Sequence, residues 1–467
     1  MPSSRNTVNI FDPNKKPIQI VFALAWPIFI ENILSTLLHY VDAAMVGQLG
    51  AYATAAVSLL NQAMFLITGA VLAMGVGITA LVARSIGAED IPLAKKLTRH
   101  AVLLSIYLGI PMCIVYALLC PFLPLWLGAG PDVAPYATNY NLIVACGRPF
   151  AMFSMVMSSV LRGAGDTKTP LRINLFSNVV NAILNFLLIY ETRDITVLGA
   201  KIHMWGAGLG VNGAALATAA SMVVGFAFYL RYVFHHPSPI QISIHESYRF
   251  DFGLFKKVAG IGVPALFERI SNQTAGMLIT ATVAILGTQA LAANTLFNTA
   301  MELATMPCFS IGSAATTIVG QYLGAKRPEE AERYVYRIQR YGLAMIIAIS
   351  AIIYVLASPL IGFFTIDGEV REMGAACLRI ALFFQPFQLM SSVFAGGLRG
   401  AGDTRSTFLY IAVSNWLLRV AGSLLAIRVF GMGVTAIALF FGLDMTLRSF
   451  LFFLRFRSGK WKTIVRM

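Results

Sequence analysis

Apolar residues fall along this chain in long, almost uncharged blocks, without the narrow apolar stripe of a helix that packs on a soluble core. Bounded by charge, Gly or Pro, the blocks lie near 18–43, 53–83, 101–122, 135–161, 171–190, 207–234, 258–286, 289–322, 338–362, 373–398, 408–429 and 431–454. Each is about 20 residues or longer, the length at which a helix crosses the hydrocarbon core of a bilayer. In lipid every backbone polar group must be satisfied within the segment, which leaves the α-helix; barrel strands would be shorter and would alternate. The pattern predicts an all-α polytopic membrane protein with twelve transmembrane helices.

Composition agrees: 57% of residues are hydrophobic and 12% charged, with mean hydropathy +0.73, where soluble domains carry about a quarter charged residues. An ordinary soluble enzyme is excluded. The net charge of +14 would suit a nucleic-acid binder, but the basic residues sit in short segments between blocks. With the N-terminus inside, 27 of the 35 Lys and Arg fall on the cytoplasmic side, five (Arg193, Lys201, Arg371, Arg379, Arg428) on the other, and three (Arg148, Arg269, Arg419) within blocks. This bias predicts cytoplasmic termini, and no nucleic-acid partner is expected. The polar start MPSSRNTVNIFDPNKKPIQ is too long for the charged lead of a secretory signal, so no cleaved targeting peptide is expected. Cys113, Cys120, Cys146, Cys308 and Cys377 lie inside apolar blocks without metal-ligand spacing and read as small core residues.

Laid on itself at a shift of 237 residues, the chain matches without gaps at Pro27/Pro264, Glu31/Glu268, Leu49-Gly50/Leu286-Gly287, Asn61/Asn298, Gly87-Ala88/Gly324-Ala325 and Ser177-Asn178/Ser414-Asn415. At the same offset LRGAGDT at Leu161–Thr167 recurs at Leu398–Thr404. The chain is a tandem duplication. Six spans per unit start both copies on the same side, so two pseudo-symmetric six-helix lobes should face each other across a central cavity. The division expected is an N-lobe at 1–235 with helices 1–6, a cytoplasmic inter-lobe linker at 236–257, and a C-lobe at 258–467 with helices 7–12. Glu191–Gly206 reads as an extra external loop of the first unit, because Gly208-x-Gly-Val recurs as Gly431-x-Gly-Val at a shift of 223.

The two lobes, LRGAGDT after the fourth span of each, Pro followed four residues later by Glu in each first helix, and VD ahead of VGQLG within Val41–Gly50 together resemble the MATE (multidrug and toxic compound extrusion) family over essentially the whole chain. The resemblance implies a secondary active antiporter of the bacterial inner membrane. Such a protein exports organic cations and drugs in exchange for H⁺ or Na⁺ by alternating access. It also implies an N-lobe coupling site built from an Asp of helix 1, two amides at i,i+4 on helix 5 and a Thr on helix 6; the matching residues here are Asp42, Asn181, Asn185 and Thr218. One carboxylate with neutral oxygens can hold a dehydrated Na⁺, and a desolvated carboxyl can instead carry a proton. Some members have a second Asp where this chain has Asn185, and the single charge leaves H⁺ favoured over Na⁺. The expected partners are small organic cations and membrane lipids, with no cofactor and a monomeric chain. A transporter of lipid-linked or anionic amphipathic substrates, flippase-like, is the alternative; it would want a basic cavity, and span-embedded acids outnumber basic residues five to three.

Those five acids are Glu31, Asp42, Glu268, Glu302 and Asp444. A carboxylate within the bilayer costs a few kcal/mol, so each is a functional candidate. Asp42 follows Glu31 by eleven residues, about 20° off the same helix face and roughly 16 Å further along. His39, one turn before Asp42, could relay a proton to it or simply serve as an interhelical donor. Glu268 could attract cationic substrate or form an ion pair. Helix 10 carries no acid, so the C-lobe ion site that some MATE branches place on helices 7 and 10 is not expected to be complete here. Glu302 is a candidate substrate contact, whereas Asp444 with Arg448 at i,i+4 reads as a helix-end salt bridge. Pro27 and Pro264 free the carbonyls of Ala23 and Gly260 and are candidate gating hinges. In LRGAGDT the glycines permit a turn, Asp166 and Asp403 can cap the next helix, and Arg162 and Arg399 should sit at headgroup level. No Gly-rich phosphate loop ending in Lys-Ser/Thr is present, which disfavours ATP-driven transport.

Overall fold

Every apolar block becomes helix in the computed structural model, which describes residues 7–126, 130, 132–197 and 200–464, without side chains at 51, 52, 55, 56, 58–67 and 195–202. The first repeat holds α1 (Pro17–Gly47), α2 (Ala51–Gly87), α3 (Ile91–Leu119), α4 (Ala134–Gly163), α5 (Lys168–Leu188) and α6 (Gly210–His235). The second holds α7 (Phe252–Ala284), α8 (Thr288–Gly324), α9 (Pro328–Val355), α10 (Gly368–Phe383, then Gln385–Gly400 after a 53° bend), α11 (Thr404–Arg428) and α12 (Thr435–Arg457). Helix α11 contains a π-helical stretch at Asn415–Gly422.

Among the described residues ten helices are long and apolar enough to cross a membrane, and the bent pair makes an eleventh. The twelfth, α7, is 33 residues long, and Glu268, Arg269, Asn272 and Gln273 at its middle dilute its apolarity. The chain is therefore a multi-pass membrane protein. The extra loop after α5 is an antiparallel hairpin, β1 (Glu191–Val197) with β2 (Ala200–Ala207), irregular between Glu191 and Arg193.

Four of the five cysteines are buried as expected; Cys146 is exposed. The segment expected as a linker, 236–257, is irregular only as far as Asp251, because the Asp251 carboxylate accepts the Leu254 amide at 3.1 Å and starts α7 at Phe252. The linker is anchored to the first repeat. Ile240 and Ile242 are buried in its core, Lys96 of α3 pairs with Asp251 at 2.7 Å, and Arg99 pairs with Glu246 at 3.1 Å.

The repeats exchange their first helices at one end. Ile20, Val21, Leu24 and Ala25 of α1 pack into the core of α8–α12, while Leu254, Val258 and Ile261 of α7 pack into the core of α2–α6. Pro27 and Pro264 stand just beyond these exchanged segments. The lobes also meet where α2 and α8 end. A Cβ at Gly87 would lie 1.9 Å from the Gln321 carbonyl oxygen, and one at Gly324 would lie 2.0 Å from that of Arg84, so only glycine allows this approach. Both LRGAGDT turns and the first and last described segments share this basic face: Val8 N–H donates to the Gly165 carbonyl at 3.1 Å, Gln321 donates to the Gly163 carbonyl at 3.1 Å, Arg455 pairs with Asp403 at 2.8 Å, and Lys462 pairs with Glu332 at 2.6 Å. Gly165 and Gly402 hold φ of +85° and +84°, the left-handed conformation that these turns need.

Candidate functional site

Beyond Pro27, α1 leaves the other lobe and runs beside α5 and α6, which brings Asp42 to two asparagines one turn apart. Asn185 Nδ2 donates to Asp42 Oδ1 at 2.6 Å and to Asn181 Oδ1 at 3.1 Å, and Asn181 contacts Thr218 Oγ1 at 3.4 Å. Turning the Asn181 amide places its nitrogen 3.0 Å and 2.9 Å from the two Asp42 oxygens. Asp42, Asn181, Asn185 and Thr218 are thus one cluster. Because an amide presents nitrogen or oxygen after a half-turn, these side chains can donate N–H to an ionised carboxylate or combine three neutral oxygens with it around a cation. The full donor set has the oxygens to surround Na⁺ as cargo, while a proton needs only the carboxylate.

The cluster opens on a cavity of about 580 Å³ whose lining comes entirely from the first repeat. Glu31 and His39 line it too, and His39 stands close enough for its charge to act on Asp42. Glu31 differs in kind from Asp42. Arg162 holds it at 2.8 Å and Asn174 donates to it at 2.6 Å. The repeat reproduces this pair: Arg399 binds Glu268, with Thr407 at 3.4 Å. Arg162 and Arg399, each in the last turn of its helix, reach across to carboxylates of α1 and α7. Of the two readings for Glu268, the structure has the ion pair.

Glu302 is exposed on α8, where it faces Tyr40 of α1, and does not join the Asp42 cluster. Asp444 is fully buried against Ser414 and pairs with Arg448 at 2.7 Å, inside the C-lobe and not at a helix end. Asp166 caps α5 through the Thr169 amide at 3.0 Å, whereas Asp403 makes no such cap and turns to Arg455. The second repeat lacks the cluster: the 237-residue shift puts Ile279, Leu418 and Gly422 opposite Asp42, Asn181 and Asn185.

Sequence reasoning missed Tyr140, whose hydroxyl reaches Thr218 and which lies near both Asp42 and Arg148. A tyrosine near the start of an apolar block carries no signal that separates it from an interfacial aromatic.

The MatE family model matches residues 27–187 and 264–425, once in each repeat. The chain is 27% identical to a probable multidrug resistance protein NorM of Thermotoga maritima over 446 residues, 94% of this chain and 92% of that one. It is 23% identical to the uncharacterized transporter YisQ of Bacillus subtilis, with 94% of each chain covered. A solved structure described as an outward-facing conformation of a multidrug resistance MATE family transporter shares the fold, with TM-score 0.86 at 22% identity over 95% of this chain and 96% of that one.

Proposed function

This chain belongs to the MatE family of multidrug efflux transporters, and we propose that it is a secondary antiporter that exports amphipathic organic cations in exchange for H⁺, with Na⁺ the other ion that its coupling site would hold. The observation that carries the reading is the state of Asp42: of the two acids lining the cavity, Glu31 has its arginine, while among the described residues Asp42 has only neutral amides within hydrogen-bond distance. An acid so placed gains by taking a proton or a cation. An organic cation and the coupling ion would then compete for one negative charge, and that competition is the physical content of antiport.

Taking the basic face as cytoplasmic under the positive-inside rule, the protein sits in the cell's inner membrane with both termini inside. The Gly87/Gly324 approach then closes the lobes on the cytoplasmic side, an outward-facing arrangement. Neutralising Asp42 would change how α1 packs on α5, with Pro27 and Pro264 as the joints between each exchanged segment and the rest of its helix. We assign no cofactor and a monomeric working unit.

The test is efflux of a fluorescent cation from proteoliposomes under an imposed pH gradient or Na⁺ gradient. Wild type should be driven by the pH gradient, and Asp42→Asn should abolish the drive. Efflux under neither gradient, or equal efflux by Asp42→Asn, would overturn the reading.

A further inference from the structure

The same cavity holds a second polar cluster that neither the ion pairs nor the Asp42 site uses. Arg148 projects into it from α4, and among the described residues no carboxylate pairs with this guanidinium; its charged or polar neighbours are Tyr116, Tyr140 and Cys113. Its Nε is buried and makes no hydrogen bond among the described residues. Seven residues earlier, two turns along the same helix face, Asn141 also lines the cavity. Asn141 is 1% exposed; its Oδ1 accepts the Tyr116 hydroxyl, and its Nδ2 is buried without a partner. Helical side chains lean toward the N-terminus, so Arg148 leans toward Asn141, with Tyr116 hydrogen-bonded to Asn141 and near enough to Arg148 to feel its charge.

Two buried donors without an acceptor and a cation without a counter-charge are each costly in a membrane interior. Neither residue is repeated in the second copy, where the 237-residue shift puts Gln385 and Leu378 opposite Arg148 and Asn141. Once Glu31 is paired with Arg162, the titratable groups facing this cavity leave, among the described residues, Asp42 beside His39, and Arg148 without a carboxylate, with Tyr140 near both Asp42 and Arg148.

We propose that Arg148 and Asn141 form a subsite for an anionic oxygen group of the transported molecule, a carboxylate, sulfonate or phosphate, so that the cavity takes amphoteric substrates with the cationic end toward Asp42. This rests on the exporter reading of the same cavity and names its substrate class. A guanidinium supplies paired N–H donors to such a group, and the amide adds a third.

A zwitterionic rhodamine with a free carboxylate and its methyl ester, a plain cation, differ only in the group at issue. Their dissociation constants, measured by fluorescence anisotropy on the full-length detergent-solubilised protein, give a ratio that cancels general changes in affinity. Wild type should bind the zwitterion about tenfold more tightly than the ester, the scale of one charge-assisted hydrogen bond. Arg148→Gln should bring the ratio near one, and Arg148→Lys should retain part of it. A ratio near one in wild type, or an undiminished ratio in Arg148→Gln, overturns the subsite. Should Arg148→Gln fail to fold, Asn141→Leu decides the matter: an unchanged ratio counts against the proposal. Efflux of the ester is read separately. Its absence from wild type under either gradient would defeat the exporter reading, while the binding ratio would still stand or fall on Arg148.

Discussion

Glu31 and Asp42 lie on one helix and line one cavity, yet protonation means opposite things for them. Protonating Glu31 would discard a 2.8 Å bond to Arg162 and leave the guanidinium unpaired; protonating Asp42 discards only contacts to amides. Removing one member of a half-buried ion pair strands the other, so Arg162→Ala should destabilise the protein by about 3 kcal/mol, seen as a lower thermal midpoint in detergent, and Glu31→Gln added to it should recover part of the loss. No recovery would mean that the pair is not the source of the effect. Asn185 sets the charge of the proposed coupling site. Asn185→Asp puts a second carboxylate 2.6 Å from the first, an arrangement that either shares a proton or attracts a cation; the expected outcome is efflux that gains a Na⁺-gradient response absent from wild type. The Glu31 to Arg162 pairing was within reach of the sequence: both residues recur at the 237-residue shift with the same 131-residue separation. Asn141 was not, since an amide near the start of an apolar block looks the same whether it faces water, a neighbouring helix or a cavity.

Helix α1 shows how one residue divides an element. Pro27 frees the Ala23 carbonyl, which accepts instead from the Thr167 hydroxyl of the first LRGAGDT turn at 3.4 Å. The sequence motif and the proline are thereby joined, which neither reveals alone. Pro27→Ala restores the backbone donor to the Ala23 carbonyl, and we expect slower hydrogen exchange of the α1 amides just around residue 27 together with slower efflux; unchanged exchange of those amides would remove the hinge. The linker offers a pH test. The Lys96 ammonium, together with the Leu254 amide, pulls the Asp251 carboxyl down to about 2 from its ordinary value near 3.8. Its folded value is depressed, so what Asp251 contributes is present above the unfolded value and is lost as pH falls toward about 2. The linker amides should therefore stay protected at pH 5, and Asp251→Asn should expose them at that pH. Equal protection in wild type and variant would show that Ile240 and Ile242 anchor the segment without the ion pair. The spans themselves were legible because length and apolarity decide them; the hairpin at Glu191–Ala207 was read as a loop, since short strands outside the membrane leave no periodic signal as strong.

At the level of the whole molecule, two copies of one unit share a basic face, where α2 and α8 cross at Gly87 and Gly324. Gly324→Leu cannot be accommodated 2.0 Å from the Arg84 carbonyl, so spin labels at Glu89 and Lys326 should move apart in the variant, while an unchanged distance would mean that this crossing does not hold the lobes together. The duplication made the architecture readable from identities at one offset, but the proposed coupling site lies where the copies differ, in residues of the first repeat that have no partner in the second. Central to the account is that Asp42 couples ion and substrate through one charge. Equilibrium binding of a fluorescent organic cation to the purified protein, followed across pH and Na⁺ concentration, measures that coupling without transport. In wild type the affinity should fall as protons are added, or as Na⁺ is added should Na⁺ be the ion, and in Asp42→Asn it should be flat to both. Affinity independent of both ions in wild type, or a dependence that survives in Asp42→Asn, would contradict it.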